Sequence, residues 1–237
     1  MIDIDKFDKV LKRVIKPARY IGMEFNSIVK DLDNVDIKFA FAFPDIYEVG
    51  MSHLGLHILY NLLNEEEYIA CERVFAPWVD MEEEMRKEGI PLFTLENKEP
   101  VENFDFLGFT LQYEMSYTNI INMLDLGNIP IFSKDRGEED PFVIAGGPCA
   151  YNPEPMADII DFFLIGEGEE ATLEILELYR KFKKGNGNRK DFLKRVSQIQ
   201  GVYVPEFYEV KYNEDNTIKE MLPIVEDVPK IIEKRIV

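Results

Sequence analysis

The chain has 237 residues, 46% hydrophobic and 12% aromatic, and its Asp and Glu outnumber Lys and Arg by 45 to 27 for a net charge of −18. That content suffices for one core-bearing domain with an appendage, while the acidic balance argues against a face built to neutralise nucleic-acid phosphates and reads as a solvated surface. No run reaches the roughly 18 apolar residues of a membrane span, and the charged start MIDIDKFDKVLKRV lacks the apolar core of a signal peptide; a cytoplasmic protein without membrane or nucleic-acid partners is expected, with Cys71 and Cys149 as reduced thiols too far apart to form a metal-ligand cluster.

The first element is an amphipathic helix over residues 3–15, where Ile4, Phe7, Val10, Leu11 and Val14 recur near helical spacing and Pro17 follows. KPARYIGMEFNSIVKD reads as an extended arm or loop. VDIKFAFAF (35–43) is a buried strand ended by Pro44-Asp45, and SHLGLHILYNLLN (52–64) is a helix with Ser52 as its N-cap. ACERVFA (70–76) gives a second strand, residues 81–88 a helix, and IPLFTL (90–95) a short strand or extended stretch. FDFLGFTLQ (104–112) is a strand, and 117–126 a helix stopped at Gly127. PFVIAGG (141–147) is a strand, PEPMADII (153–160) a short helix, DFFLIG (161–166) a strand, and 169–185 a helix closed by Gly185. Beyond it, KGNGNRKD is a polar linker, DFLKRVSQIQ (191–200) a helix, and YEVKY and TIKEM the strands of a hairpin around NEDN.

Strands alternating with helices, and strands that are apolar throughout, predict an α/β fold: a Rossmann- or flavodoxin-like parallel sheet with helices on both faces, plus a small C-terminal β-hairpin appendage. The chain divides into a helix and arm at 1–34, an α/β domain at 35–185, and a helix and hairpin at 186–237. In such a sheet the strand-to-helix turns gather at one edge, and ligands bind there. Ser52, Gly108 to Gln112, Gly146-Gly147 and Gly166 to Glu170 all approach that edge.

Several chemistries lack their motif. There is no GxxxxGKS/T, and Glu169 and Glu170 in the first turn of a helix suit its dipole but oppose phosphate. No GxGxxG follows the first strand, and no GxSxG supports a nucleophile, for which Cys149 has no identifiable base. His53 and His57 stand at i, i+4 spacing, but HLGLH lacks the glutamate of a zinc-protease motif and no third ligand is evident, so a capping or hydrogen-bonded role is favoured. Asp45, Glu48 and Glu169 could supply an acid–base pair across the edge, which spacing does not establish. In LQYEMSYTN, Gln112 offers a ligand contact, Ser116 a helix cap and Tyr117 a packing anchor. MEEEM reads as a solvated helix face, Trp78 as a packing residue.

KPARYIGMEFNS, FAFPDIYEVGMSHLGLHILY, ERVFAPWVDME, LGFTLQYEMSYTNIINMLDL and VIAGGPCAYNPEPMADIIDFFLIGEGEEATLEIL, in this order, resemble the N-terminal B12-binding-like domain of an uncharacterised family of radical SAM proteins. The resemblance covers roughly residues 16–185 and, through VYVPEFYEV, extends toward the whole chain. It implies a domain that either binds cobalamin or serves as a scaffold or lid for the catalytic domain; cobalamin, if bound, would sit at the carboxyl edge of the sheet, its dimethylbenzimidazole tail near the GGP and GEGE turns and its corrin over the turn after the first strand. Carried onto this chain, the cofactor-binding candidates are Ser52, His53, Leu54, Gly55, Gln112, Gly146, Gly147, Gly166, Glu167 and Gly168; no catalytic or metal-ligating residue is assigned. The DxHxxG of histidine-ligated cobalamin proteins is absent, since Met51 and Leu56 replace its Asp and Gly. The CxxxCxxC that holds a 4Fe–4S cluster is absent too. The resemblance therefore implies a fragment without radical chemistry of its own, whose partner is a catalytic domain in the same full-length chain carrying the iron–sulfur cluster and S-adenosylmethionine; the IIEKRIV end suits a cut before such a domain. Two rival readings stand beside it: a protein-interaction module that has lost cofactor binding, and a nucleotide- or sugar-nucleotide-binding Rossmann-like enzyme.

Overall fold

The computed structural model describes residues 1–185 and 187–236; Asn186, where the third segment is expected to begin, and Val237 lie outside the described residues. The elements in chain order are α1 (Ile4–Leu11), α2 (Ala18–Ile21), β1 (Ile37–Phe43), α3 (Tyr47–Gly50), α4 (Leu54–Glu65), β2 (Ile69–Phe75), α5 (Val79–Glu88), β3 (Phe106–Thr110), α6 (Tyr117–Leu126), β4 (Phe142–Gly146), β5 (Phe162–Leu164), α7 (Glu169–Lys183), α8 (Arg189–Val196), β6 (Val202–Tyr203), β7 (Tyr208–Tyr212) and β8 (Ile218–Pro223).

One sheet has the order β2-β1-β3-β4-β5-β6, and β7-β8 form a separate antiparallel hairpin. The first five strands are parallel; β6 runs antiparallel to β5. The order 2-1-3-4-5 is that of flavodoxin-type doubly wound sheets, whose strand order reverses between β1 and β3 and leaves a crevice at the carboxyl ends.

The strand sequences explain the two layers. In IKFAFAF the side chains alternate between faces. Ala40 and Ala42 join the core with α1, α5 and α6, contributed by Phe7, Val10, Met81, Met85, Ile120 and Met123. Ile37, Phe39, Phe41 and Phe43 join the opposite core with Leu56, Tyr60, Ile175, Leu176, Phe192 and Val196 of α4, α7 and α8. On that second face a row of rings crosses the sheet: Phe39, Phe106 and Phe142 stack at 6.0 and 5.6 Å, with Tyr179 edge-on to Phe106 at 4.7 Å, a geometry favoured by the ring quadrupoles.

Several local expectations change. A one-turn helix, α3, fits between Asp45 and Ser52, and the N-cap of α4 is His53, not Ser52. The His53 Nδ1 accepts from Leu56 N at 3.1 Å, while Ser52 Oγ donates to Val49 O. Ser116 precedes α6 but its hydroxyl donates to Tyr113 O, so it makes no side-chain cap. Residues 153–160 hold only a 3-10 turn at Glu154–Met156, with Pro153 at its N-cap. Residues 90–95 form no ladder strand; Leu95 N donates to Arg73 O, so the segment covers the outer edge of β2, as exposed sheet edges require. Helix α1 stops at Leu11, short of residue 15, and α8 opens two residues early on an Asn188–Asp191 capping box. GVYV supplies the sixth strand of the main sheet. Both cysteines are free thiols, Cys71 buried within β2, and no described helix is long and apolar enough to cross a membrane.

Candidate functional site

At the carboxyl edge of the sheet, between α4 and α7, lies a cavity of about 200 Å³ with mostly apolar walls. Phe39 and Phe41 of β1, Gly108, Phe109 and Thr110 of β3, Ile144 and Ala145 of β4, and Phe162 and Leu164 of β5 form its floor; Gly55, Leu59 and Leu63 of α4 and Thr172 and Ile175 of α7 form its walls. Among the sequence candidates, His53, Gly55, Gln112, Gly146, Gly147, Gly166 and Gly168 line it, whereas Ser52, Leu54 and Glu167 do not. Right-handed crossovers between parallel strands bring these turns to one edge, so residues far apart in sequence share one hollow.

The glycines serve different ends. A Cβ on Gly108 would stand 2.6 Å from Phe39 Cζ, so that glycine makes room for the ring beneath the cavity. Gly146 follows Phe142 and Ile144 on the cavity face of β4, and a Cβ there would meet nothing nearer than Leu164 O at 3.6 Å. Its bareness leaves volume free rather than relieving a clash. Gly147, at φ +99°, turns the chain out of β4 with Leu111 O 3.0 Å from where its Cβ would be. Gly166, at φ +114°, differs: its Cβ would lie 2.2 Å from Arg235 O. The close backbone approach at the second glycine turn is made by the protein's own C-terminal segment, through a parallel bridge from Gly166 to Arg235.

The polar groups define what this hollow can do. Because His53 Nδ1 accepts a backbone N–H, a neutral His53 carries its proton on Nε2. A metal-bound histidine normally donates through its second nitrogen instead, so this arrangement does not present His53 as a cobalt ligand. His57 Nε2 donates to Met51 O at 2.8 Å and clamps the α3–α4 turn. Gln112 Nε2 donates to Thr110 Oγ1 at 2.6 Å, placing a side-chain amide at the rim. Of the three acids considered as a pair, only Glu169 lines the cavity. Glu48 is engaged by Arg19 and Lys16, and the Arg19 hydrogen bond above all brings its carboxyl down to about 2; Asp45 Oδ1 accepts from Ile46 N. No acid–base pair is assembled. Burial, with Glu114 nearby, pushes the Cys149 thiol up, away from the thiolate that nucleophilic chemistry uses.

Sequence reasoning brought Gly108 to Gln112 to this edge but missed the rest of the floor. Phe39, Ile144, Phe162 and Leu164 line the cavity and look like ordinary strand positions, whereas Gly108 inside FLGFT carries a signal, since an isolated glycine in a strand marks a close approach. Around the same edge Val49, Leu54, Tyr113, Met115 and Tyr151 are exposed, Leu54 to 71% and Met115 to 74%; they belong to the segments that follow β1, β3 and β4.

Fold and site together define a doubly wound α/β domain with an apolar cavity at the switch-point edge of its sheet. Residues 55–205 match the family described as radical SAM proteins, N-terminal, and the chain belongs to that family. It is 26% identical over 208 residues to an uncharacterized protein of Methanocaldococcus jannaschii, a match that covers 85% of this chain and 35% of that protein. No solved structure matches. The residues present do not fit a 4Fe–4S cluster held on CxxxCxxC. The chain has two cysteines, one inside β2 and one after β4, and among the described residues no group of three His, Cys, Asp or Glu could hold a metal.

His53 gives a direct check on this geometry. His53→Asn keeps a capping acceptor and should leave the urea midpoint nearly unchanged, whereas His53→Ala should lose about 1 kcal/mol. Equal losses in both variants would show that the ring's packing on Phe43, 5.3 Å away, matters more than its cap.

Proposed function

We propose that this chain is an accessory domain of a radical SAM protein and that its sheet-edge cavity seats one flat ring of a cofactor, the tail of a corrinoid being the ligand that its resemblance and lining favour. The observation that carries the reading is the convergence of the GGP turn, the GEGE turn and the start of α4 on one apolar hollow. Its volume supports a ring rather than a whole cofactor: an apolar cavity of about 150 Å³ accepts benzene, so about 200 Å³ suits one or two fused rings. The remainder of a corrinoid would lie outside, toward the exposed Leu54, Tyr113, Met115 and Tyr151. Such a group, when bound, supplies cobalt chemistry; the chain's part is to seat the ring, exclude water from it and offer Gln112 and the Nε2–H of His53 as polar contacts. A phosphate-led nucleotide fits less well, because Glu169 stands where a helix N-terminus would meet an anion.

The test is a titration of the chain with hydroxocobalamin followed by absorbance. Saturable spectral change is expected, weakened about tenfold or more in Gly146→Leu, which fills the cavity from its β4 wall, and unaltered in shape by His53→Asn. A wild-type chain that leaves the spectrum untouched sinks the cofactor reading and leaves a scaffold that covers the catalytic domain.

A further inference from the structure

The second glycine turn is occupied by the protein itself. Residues 227–236 run back along the domain: Gln198 Nε2 donates to Asp227 O, Tyr208 Oη to Pro229 O, and Gln200 Nε2 to Lys234 O at 3.1 Å. At its end Arg235 N donates to Ile165 O at 2.9 Å, and Glu167 N donates to Arg235 O at 3.2 Å. Two positive-φ glycines receive it. A Cβ on Gly166 would meet Arg235 backbone from 2.2 Å, and one on Gly201 would stand 3.1 Å from Arg235 N. The Arg235 guanidinium reaches Glu174 at 3.1 Å and Glu170 at 3.5 Å, both on α7.

The turn and helix that Arg235 holds are also walls of the cavity. Gly166, Gly168, Glu169 and Thr172 line it, and the strap takes the backbone groups on either side of Gly166. We propose that residues 234–236 form a strap whose docking is coupled to the filling of the cavity, with Arg235 as a positioning residue for the Gly166–Thr172 wall. Glu170 and Glu174 are exposed, and ion pairs of that kind hold weakly; with two backbone hydrogen bonds they make a contact that opens locally without unfolding the domain. Anything that fixes the wall from inside therefore favours the docked strap, and by reciprocity the docked strap favours whatever fills the cavity.

Amide hydrogen exchange on the 237-residue chain reads this directly. Arg235→Glu, which places a carboxylate against Glu170 and Glu174, should speed exchange at Glu167 about 5-fold or more, and adding Glu174→Arg should restore it. Gly146→Leu, filling the cavity without ligand, should slow exchange at residue 235, an effect lost in the Arg235→Glu background. Unchanged exchange at residue 235 in a folded Gly146→Leu chain overturns the coupling. The ligand arm rests on the cofactor reading: hydroxocobalamin should bind Arg235→Glu about 5-fold more weakly than wild type, and equal affinity counts against the strap. If hydroxocobalamin binds neither chain, the corrinoid reading fails while the Gly146→Leu arm still decides the coupling.

Discussion

Replacing Asp161 by alanine should cost the domain about 3–5 kcal/mol of stability, enough to bring an ordinary domain of 5–15 kcal/mol near its unfolding threshold. Asp161 Oδ2 accepts from Arg136 Nη1 at 2.9 Å, Arg189 Nη2 at 2.8 Å and Val143 N at 2.7 Å. The Arg136 side chain is fully buried and that of Asp161 is 2% exposed. Burial pulls the Arg136 guanidinium below its usual range even though Asp161 pulls it up, which shows how much the site depends on that carboxylate. Without it two guanidinium groups keep no carboxylate within hydrogen-bond reach: Arg136 is left with the carbonyls of Pro130 and Ile131, and Arg189 with those of Gly137, Asp140 and Pro141 and the Phe142 ring 4.0 Å below it. Asp161→Asn keeps an acceptor but not the charge and should lose less. Urea denaturation with an unchanged m-value is the measurement; a loss under about 1 kcal/mol in Asp161→Ala would place the cluster among solvated ion pairs. Because Asp161 precedes β5 and Asp140-Pro141 precede β4, the damage falls at the amino edge, and ligand affinity in the folded fraction should persist.

The parallel sheet was legible because its strands are short runs of Val, Ile, Phe and Ala between helical patterns, and the edge site because chain handedness forces the turns after parallel strands together. What the residues could not reveal is pairing across long stretches of chain. Nothing in GVYV distinguishes a two-residue strand of the main sheet from part of a hairpin arm. Nothing around Gly166 names Arg235 as the backbone it receives, so its glycine read as room for a ligand. The buried charges of β2 were hidden for a related reason: Glu72 and Arg73 are neighbours within ACERVFA and so point to opposite faces of the strand, and nothing near them in sequence names a partner for either. Their partners lie on the 94–97 segment and the N-terminal arm, where Asn97 meets Glu72 and Glu96 meets Arg73. His53 was legible as a cap or a hydrogen-bonded ring, but which nitrogen does the capping follows only from the backbone geometry of α4.

Arg73→Met should cost about 3–5 kcal/mol at pH 8 and loosen the mouth of the cavity as well. The Arg73 side chain is 3% exposed; its Nε meets Glu96 Oε1 at 2.7 Å and its Nη2 meets Glu24 Oε2 at 2.7 Å. The same guanidinium donates to Ser27 Oγ and Met51 Sδ and lies over the Tyr60 ring at 4.7 Å. It thus joins the 24–27 arm, the edge segment at Glu96 and the α3–α4 turn on which His53 stands. Methionine fills the space but leaves Glu96 a buried carboxylate with one backbone donor, Arg73 N. Burial already pushes the Glu96 carboxyl up against the pull of Arg73; without that pull it rises further. A carboxyl whose folded pKa exceeds its unfolded value binds its proton more tightly in the native state, so the variant is stable below the unfolded value and loses stability as pH climbs through the folded one. The penalty should therefore shrink from pH 8 toward pH 5, whereas the wild type should change less over that range. Adding Glu96→Leu removes the stranded charge and should restore most of the loss, yet the arm and the α3–α4 turn remain unclasped, so the double variant should still show faster amide exchange at Met51–His53. A pH-independent loss in Arg73→Met would mean that Glu96 finds another cation or water, and that the clasp acts by shape alone.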